Sequence, residues 1–297
     1  MTKLVIFDGN AIMHRAYHAL PPLNTRAGEP INAVYGLVSM LLKVIQDLSP
    51  THIIFAFDRP EPTFRKEIAT DYQAHRPEMD VDLGSQFPKA QEVVKAFKIP
   101  LYDKAGFEAD DVIGTIVNKV PVDQVLIVTG DRDILQLVNK KIKLYMPGKG
   151  LSDAKVFGKN ETIEKMGVPP EQIVDYKALV GDPSDNYKGV PGIGPKTAVK
   201  LLEDYKTLDN IYKNLDKIPD RTAKILRENK ESAYLSQKLA KIVKDVDIDF
   251  DIEKANKWNL DNPEVVGLFE EFGFRTLTKR IKTVGKELTS KKQMSLM

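Results

Sequence analysis

Three short apolar runs stand out from an otherwise mixed chain: Leu4 to Phe7, His52 to Phe57 and Gln124 to Thr129. Runs of this kind, rich in β-branched residues and without polar alternation, predict parallel strands buried on both faces. Elsewhere apolar residues recur at three- and four-residue spacing, which predicts helices over Val34 to Ile45, Phe87 to Phe97 and Asp110 to Val120. Strand and helix alternate, as in an α/β fold with a mostly parallel sheet flanked by helices. After about Met166 the alternation stops. Short helical segments follow, separated by Pro and Gly: Pro170 to Leu179, Lys196 to Tyr205, Thr207 to Asn214, Arg221 to Asn229 and Glu231 to Val243. They predict a small, all-α second domain, with the boundary at residues 168 and 169. Between the second strand and the Phe87 helix, the polar stretch Arg59 to Gln86 is too long for an ordinary loop. Within it, Phe64 to His75 reads as a helix that stops before Pro77.

Composition narrows the chemistry. The chain has 297 residues, no cysteine and four histidines, none at zinc-motif spacing, so disulfides and Cys-ligated zinc are excluded and oxygen ligands are what remain. Met1 to Phe7 enters a strand directly, without a basic leader or a long apolar stretch, and the expected location is cytoplasmic, away from membranes. Net charge is only +2, from 44 basic and 42 acidic residues. Near the end, Lys279, Arg280, Lys282, Lys286, Lys291 and Lys292 face the single acid Glu287. Such a run suits either phosphate contact or a solvated end.

The acids are not scattered. Asp8, Asp58, Glu108, Asp110, Asp111, Asp131, Asp133, Asp182 and Asp185 each sit where an apolar segment ends or a helix begins. Singly, each has a plain explanation as a turn or a helix cap. Jointly they do not, because in open α/β sheets ligands bind beyond the carboxyl ends of the strands, which is where Asp8, Asp58 and Asp131 fall. Clustered carboxylates suit hard divalent ions such as Mg²⁺ and Mn²⁺, which would neutralise them. A second pattern, Gly189-Val190-Pro191-Gly192-Ile193-Gly194-Pro195-Lys196-Thr197, opens a helix whose N–H groups can face an anion. It is no Walker loop, since Pro195 separates Gly194 from Lys196, and no dinucleotide fingerprint, since no strand precedes it.

The segments Phe7-Asp8-Gly9-Asn10, Phe55-Ala56-Phe57-Asp58, Phe107-Glu108-Ala109-Asp110-Asp111, Thr129-Gly130-Asp131-Arg132-Asp133 and Gly181-Asp182-Pro183-Ser184-Asp185-Asn186 together resemble the bacterial 5′ nucleases. That family comprises the amino-terminal 5′–3′ exonuclease domain of DNA polymerase I and stand-alone flap endonucleases. The resemblance implies a PIN-like (resolvase-like) catalytic domain over residues 1–168 with a helical arch at about 59–86. It implies a helical domain over 169–297 with a helix-hairpin-helix element at about 186–205. All nine acids would hold two or more Mg²⁺ or Mn²⁺ ions, with Asp182 and Asp185 completing the more distal site. Lys66, Gln73 and Arg76 would act at the scissile phosphate. Arg15, Tyr17, Arg65, Tyr72, Gly189, Gly192, Ile193, Gly194, Lys196 and Thr197 would contact DNA, with K⁺ at the hairpin. The implied partners are DNA bearing a 5′ flap or an RNA primer, and a polymerase as domain or partner, for a monomeric enzyme of replication and repair.

One position departs from the pattern. Family members usually carry Tyr-Lys-Ala-x-Arg in the arch, whereas this chain has Tyr72-Gln73-Ala74-His75-Arg76. An amide cannot supply the charge of a lysine. A DNA-binding member with little catalysis and a PIN-like ribonuclease therefore remain as rival readings.

Overall fold

The computed structural model describes residues 1–148, 154–260 and 262–294. Six strands form one sheet in the order β3-β2-β1-β4-β5-β6. They are β1 (Lys3–Asp8), β2 (His52–Ala56), β3 (Leu101–Tyr102), β4 (Gln124–Val128), β5 (Ile142–Pro147) and β6 (Ala154–Phe157). The first five run parallel, and β6 closes one edge antiparallel to β5. The three strands expected from the apolar runs form the centre. Of the other three, β3 has two residues and β6 is mostly exposed, so neither carries a continuous apolar signal, and in the buried β5 Lys143 and Pro147 interrupt it.

Register places the acids. Asp8 pairs with Ala56 and Phe7 with Val128, so β1, β2 and β4 end level and the turns beyond them share one rim. Along β1 the side chains alternate between two cores. Leu4 and Ile6 pack with Ile54, Val125 and Ile127 toward α6 (Ala109–Lys119), and Val5 and Phe7 pack with Ile53, Phe55 and Val128 toward α2 (Asn32–Leu48) and α5 (Gln86–Ala96). Phe7 and Phe55 stack with ring centroids 4.5 Å apart.

The helix α1 (Gly9–Ala19) follows β1 directly, with Asp8 as its N-cap accepting from the Ala11 N–H at 2.9 Å. The polar stretch holds only two short helices, α3 (Phe64–Ile68) and α4 (Val81–Gly84). The helix expected over Phe64 to His75 therefore stops at Ile68. Beyond it the chain turns back and docks through the Gln73 N–H on the Asp185 carbonyl at 2.9 Å, with Gln73 at φ +56.

Beyond the sheet come α7 (Lys159–Met166), α8 (Ile173–Val180), α9 (Pro195–Tyr205), α10 (Leu208–Lys213), α11 (Asp220–Glu228) and α12 (Lys230–Ala240). Two further helices, α13 (Pro263–Glu271) and α14 (Arg275–Met294), return to the first core, where Val265, Phe269, Leu277, Ile281 and Val284 pack beside the α2 residues. By packing, these last helices belong with the sheet rather than with α8 to α12. The basic run from Lys279 lies along α14 as the outer face of an amphipathic helix; Lys291 and Lys292 have side chains outside the described residues.

The helices α8 and α9 form a hairpin whose tight crossing depends on two glycines. Gly181 and Gly189 adopt φ +75 and φ +62, and a Cβ on Gly189 would lie 2.2 Å from the Gly181 nitrogen. Ser232 and Ser236 of α12 hold the same peptide: the Ser232 hydroxyl donates to the Gly189 carbonyl at 2.6 Å and the Gly189 N–H donates to Ser236 Oγ at 3.1 Å. Gly189→Ala combines a backbone clash with a left-handed φ, and is expected to cost at least about 1–3 kcal/mol of stability. Urea unfolding measures this, and an unchanged midpoint would refute the close crossing.

Candidate metal centre

Residues from both parts of the chain line one cleft of about 950 Å³. Its walls include Asp8, Asp58, Glu108, Asp110, Asp131, Asp133 and Asp185, with Lys66, Gln73 and Arg76 on the side of the polar stretch. Seven of the nine acids thus meet across the sheet edge, as the strand ends predicted. Short local bonds orient them. Asp8 Oδ2 accepts from the Thr129 hydroxyl at 2.7 Å, and the same hydroxyl accepts from the Asp131 N–H at 2.9 Å. Asp58 Oδ1 accepts from the Ala109 N–H at 2.7 Å, which ties the β2 turn to the start of α6. Asn10 Oδ1 accepts from the Asp58 N–H at 3.0 Å. Neither Thr129 nor Asn10 was singled out as a support from sequence, although both sit beside the acids they orient.

Gathering these carboxylates in a dry place raises their proton affinity. Burial, with the charges of Asp58 and Asp131 adding to it, pushes Asp8 up to about 7. Glu108 is likewise pushed up to about 7, by burial against the pull of Arg65 and with Asp111 and Asp58 nearby. Asp110 is raised well above the usual range, burial first and Asp131 and Asp8 after it, and Asp58 is raised by burial.

At the far end, oxygens of Asp133, Asp182 and Asp185 all lie within 4.8 Å of one another. Lys177 of α8 reaches between two of them: its ammonium donates to Asp182 Oδ2 at 2.6 Å and also to Asp133 Oδ1. Burial and the neighbouring Asp131 push Asp133 up to about 7 despite that lysine. Asp182, nearer the rim, is raised by burial, but Lys177 and the Ser184 bonds outweigh this and the net shift is downward. Asp185 takes the third corner and accepts from Arg76 Nη2 at 2.7 Å, Gln73 Nε2 at 3.2 Å and the Tyr72 hydroxyl at 3.3 Å. The hydroxyl of Tyr187 is buried with no hydrogen-bond partner among the described residues; burial raises its pKa, and the charges of Asp133, Asp182 and Asp185 add to the rise. An oxygen-only donor set, several acids held near neutrality and an orphaned hydroxyl beside the cluster fit hard divalent cations.

Asp111 and Arg65 correct the expectation. Arg65 is 2% exposed, and its guanidinium binds both Asp111 oxygens, at 2.6 and 2.8 Å, as well as the carbonyls of Leu239 and Lys241, each at 2.9 Å. Asp111 is wholly buried and also accepts from the Val243 N–H at 2.8 Å. Asp111 does not line the cleft and spends its charge on Arg65; Arg65 lies in the cleft wall, but its guanidinium is committed to Asp111 and the two carbonyls rather than open to DNA. Tyr72 is 3% exposed and packed with Tyr187, Leu239 and Ala240, so its ring is not open for stacking on a base. Gly189 and the Ile193 side chain are also buried, whereas Gly192, Gly194, Lys196 and Thr197 are exposed at the start of α9. On α1, Arg15 and Tyr17 are half-buried. Lys177 was missed from sequence. The signal was the single basic residue in the mostly apolar helical run Ile173-Val174-Asp175-Tyr176-Lys177-Ala178-Leu179, five residues before Asp182.

The fold and the acid-lined cleft define a two-part scaffold, a mostly parallel sheet domain followed by helical hairpins. Residues 3–167 match the N-terminal resolvase-like domain of the 5′–3′ exonucleases, and residues 168–263 match their C-terminal SAM fold. The chain belongs to the 5′–3′ exonuclease family. DNA polymerase I of Bacillus caldotenax is 38% identical over 288 residues, which covers 96% of this chain and 33% of that protein. The Bacillus subtilis polymerase I is 36% identical over 282 residues, 94% of this chain and 32% of that one. The chain thus spans about a third of the length of the curated relatives it matches. Among solved structures, a bacteriophage T5 protein co-crystallised with metal ions superposes with a TM-score of 0.67 at 20% identity, covering 96% of this chain and 99% of that one. The catalytic core of Rad2 in complex with DNA substrate does so at 0.59 and 16% identity, covering 97% and 92%. Among the described residues no helix is long and apolar enough to cross a membrane.

The raised carboxylates make a pH prediction. Asp8, Glu108 and Asp133 titrate near 4 in the unfolded chain and near 7 when folded. The folded state therefore holds more protons between those values. Its stability is fully present below pH about 4 and is lost as pH rises through about 7. Metal-free protein is expected to melt lower at pH 8 than at pH 6 by at least about 1 kcal/mol, or roughly 2–4 °C, with Ca²⁺ removing most of the difference. A flat profile in EDTA would show that the acids are not buried together.

Proposed function

We propose that the chain is a divalent-metal-dependent, structure-specific 5′ nuclease, acting as 5′–3′ exonuclease and flap endonuclease on 5′-flap or primer-bearing DNA in replication and repair. The observation that carries this is one cleft whose walls gather seven acids from distant parts of the chain together with Lys66 and Arg76. Asp8, Asp58, Glu108, Asp110, Asp131, Asp133, Asp182 and Asp185 would hold Mg²⁺ or Mn²⁺. When bound, such ions supply activation of the attacking water and stabilisation of the departing oxygen in an in-line displacement.

The chain's own residues bring the phosphate to that place. Lys66 and Arg76 are exposed at the cleft and attract the single strand; Gln73, without charge, only hydrogen-bonds. Arg15 contacts phosphate and Tyr17 offers a ring to a base. Duplex DNA lies against the start of α9, where Gly192 and Gly194 leave the backbone open and Lys196 and Thr197 are exposed; the backbone of this turn would hold K⁺. Backbone grip of this kind reads DNA shape rather than sequence. Hydrolysis near the junction leaves a 5′-phosphate on the product. On this reading the protein is a cytoplasmic monomer that works with a polymerase, in the same chain or as a partner.

Two experiments test it. Asp131→Asn is expected to abolish Mg²⁺-dependent cleavage of an end-labelled 5′-flap duplex while DNA binding in Ca²⁺ persists. Equal cutting of unstructured single-stranded RNA by the parent protein would favour the PIN-like ribonuclease instead, and binding without cutting the non-catalytic member. Lys196→Ala should weaken duplex binding and flatten the dependence of log K on log salt by about one unit. An unchanged slope would remove Lys196 from the interface.

A further inference from the structure

Lys177 has no place in the nuclease reading so far, yet it occupies the centre of the distal cluster. Its side chain is only 8% exposed, and its ammonium touches both Asp133, which follows β4 in the sheet domain, and Asp182, which opens the turn after α8. The third acid, Asp185, takes its cation from Arg76, whose side chain is 53% exposed on a turn of the polar stretch. The two cations therefore differ in kind. Lys177 is fixed on a buried helix, while Arg76 can leave toward solvent or phosphate without unfolding anything.

Charge counting gives this difference a consequence. Once ionised, as metal binding requires, the three carboxylates carry three negative charges, and the two basic side chains leave one uncompensated. Once Arg76 turns to a DNA phosphate, the cluster with Lys177 still in place carries two negative charges, the balance for a single divalent ion. Without Lys177 it would carry three at close quarters, where each unit charge matters strongly in a poorly solvated site. The orphaned Tyr187 hydroxyl beside these acids is an independent sign that a ligand belongs there.

We propose that Lys177 is a positioning residue, a tethered counter-cation that gathers Asp133 and Asp182 in the absence of metal and limits the distal cluster to one exchangeable divalent ion. This rests on reading Asp133, Asp182 and Asp185 as a metal site. Arg76 is the displaceable partner, so entry of the ion and engagement of the DNA strand favour one another.

The test uses the full chain and Mn²⁺ as the probe, with bound ion counted by the loss of the free-ion electron paramagnetic resonance signal. Lys177→Met keeps the length of the stem and removes the charge. It is expected to bind its weakest Mn²⁺ at least about tenfold more tightly than the parent, and to melt lower in EDTA with the deficit recovered by Mn²⁺. Lys177→Arg should behave as the parent in both measurements. An unchanged Mn²⁺ isotherm for Lys177→Met would overturn the proposal, as would a melting deficit that Mn²⁺ leaves intact, because a plain packing role predicts that. A variant that folds only with Mn²⁺ supports it; one that folds in neither condition overturns it. The double change Asp182→Asn, Asp185→Asn separates the underlying reading. If it loses no Mn²⁺, the cluster is not a metal site; if it loses one and Lys177→Met changes nothing, only the role of Lys177 fails.

Discussion

The burial of several carboxylates at one sheet edge is the constraint around which this molecule is arranged. Parallel strands that end level bring Asp8, Asp58 and Asp131 to one rim, and the start of α6 adds Glu108 and Asp110. Burial disfavours their charged form and the neighbouring acids add to it, so that three of the cleft acids are pushed up to about 7. The protein's own cations answer part of that charge, and the cost of gathering the acids falls on stability at the site itself.

The protein's own cations divide the task by burial. Arg65 is spent entirely inside, where it joins Asp111 to the carbonyls of Leu239 and Lys241 and so fastens the polar stretch to α6 and to the chain leaving α12. Breaking such a buried pair from one side strands a charge, an effect of about 3–5 kcal/mol. Lys177 bridges the two parts of the molecule at the distal cluster, and Arg76 holds Asp185 from an exposed turn. The hairpin of α8 and α9 is positioned by the contact of Gly181 with Gly189, which brings Asp182 and Asp185 toward Asp133. The contacts of Arg65 with Asp111, Lys177 with Asp133 and Arg76 with Asp185 are long-range in sequence, so the cleft exists only when sheet and hairpins are assembled together.

Legibility followed the range of the interactions. The central strands and most helices were readable because a two-sided strand and an amphipathic helix write their burial into local spacing. The short β3 and the exposed β6 leave no such trace, and α13 and α14 were missed although their apolar residues share the core of α2. The long helix expected over Phe64 to His75 ends at Ile68 because the chain is captured by Asp185, a residue more than a hundred positions away. In the site, the acids were legible through their place at element ends, and the family resemblance sharpened them. The cations were read as surface groups, and there the reading failed for Arg65, since a basic residue in a polar stretch looks the same whether it meets solvent or a buried partner.

By itself the sequence determined that an α/β sheet would carry oxygen ligands at the ends of its strands, because strand burial and the turn that follows are both local properties. It also determined the glycine-rich opening of α9, whose backbone demands are written in the residues themselves. The tertiary structure alone decided which charges meet: that Asp111 turns to Arg65 instead of the cleft, that Tyr72 is buried between Glu108 and Asp185, and that Lys177 stands between two acids from different parts of the chain. The reason is physical. A charge is neutralised by whatever lies within a few ångströms, and that neighbour is chosen by packing over distances that no local pattern records.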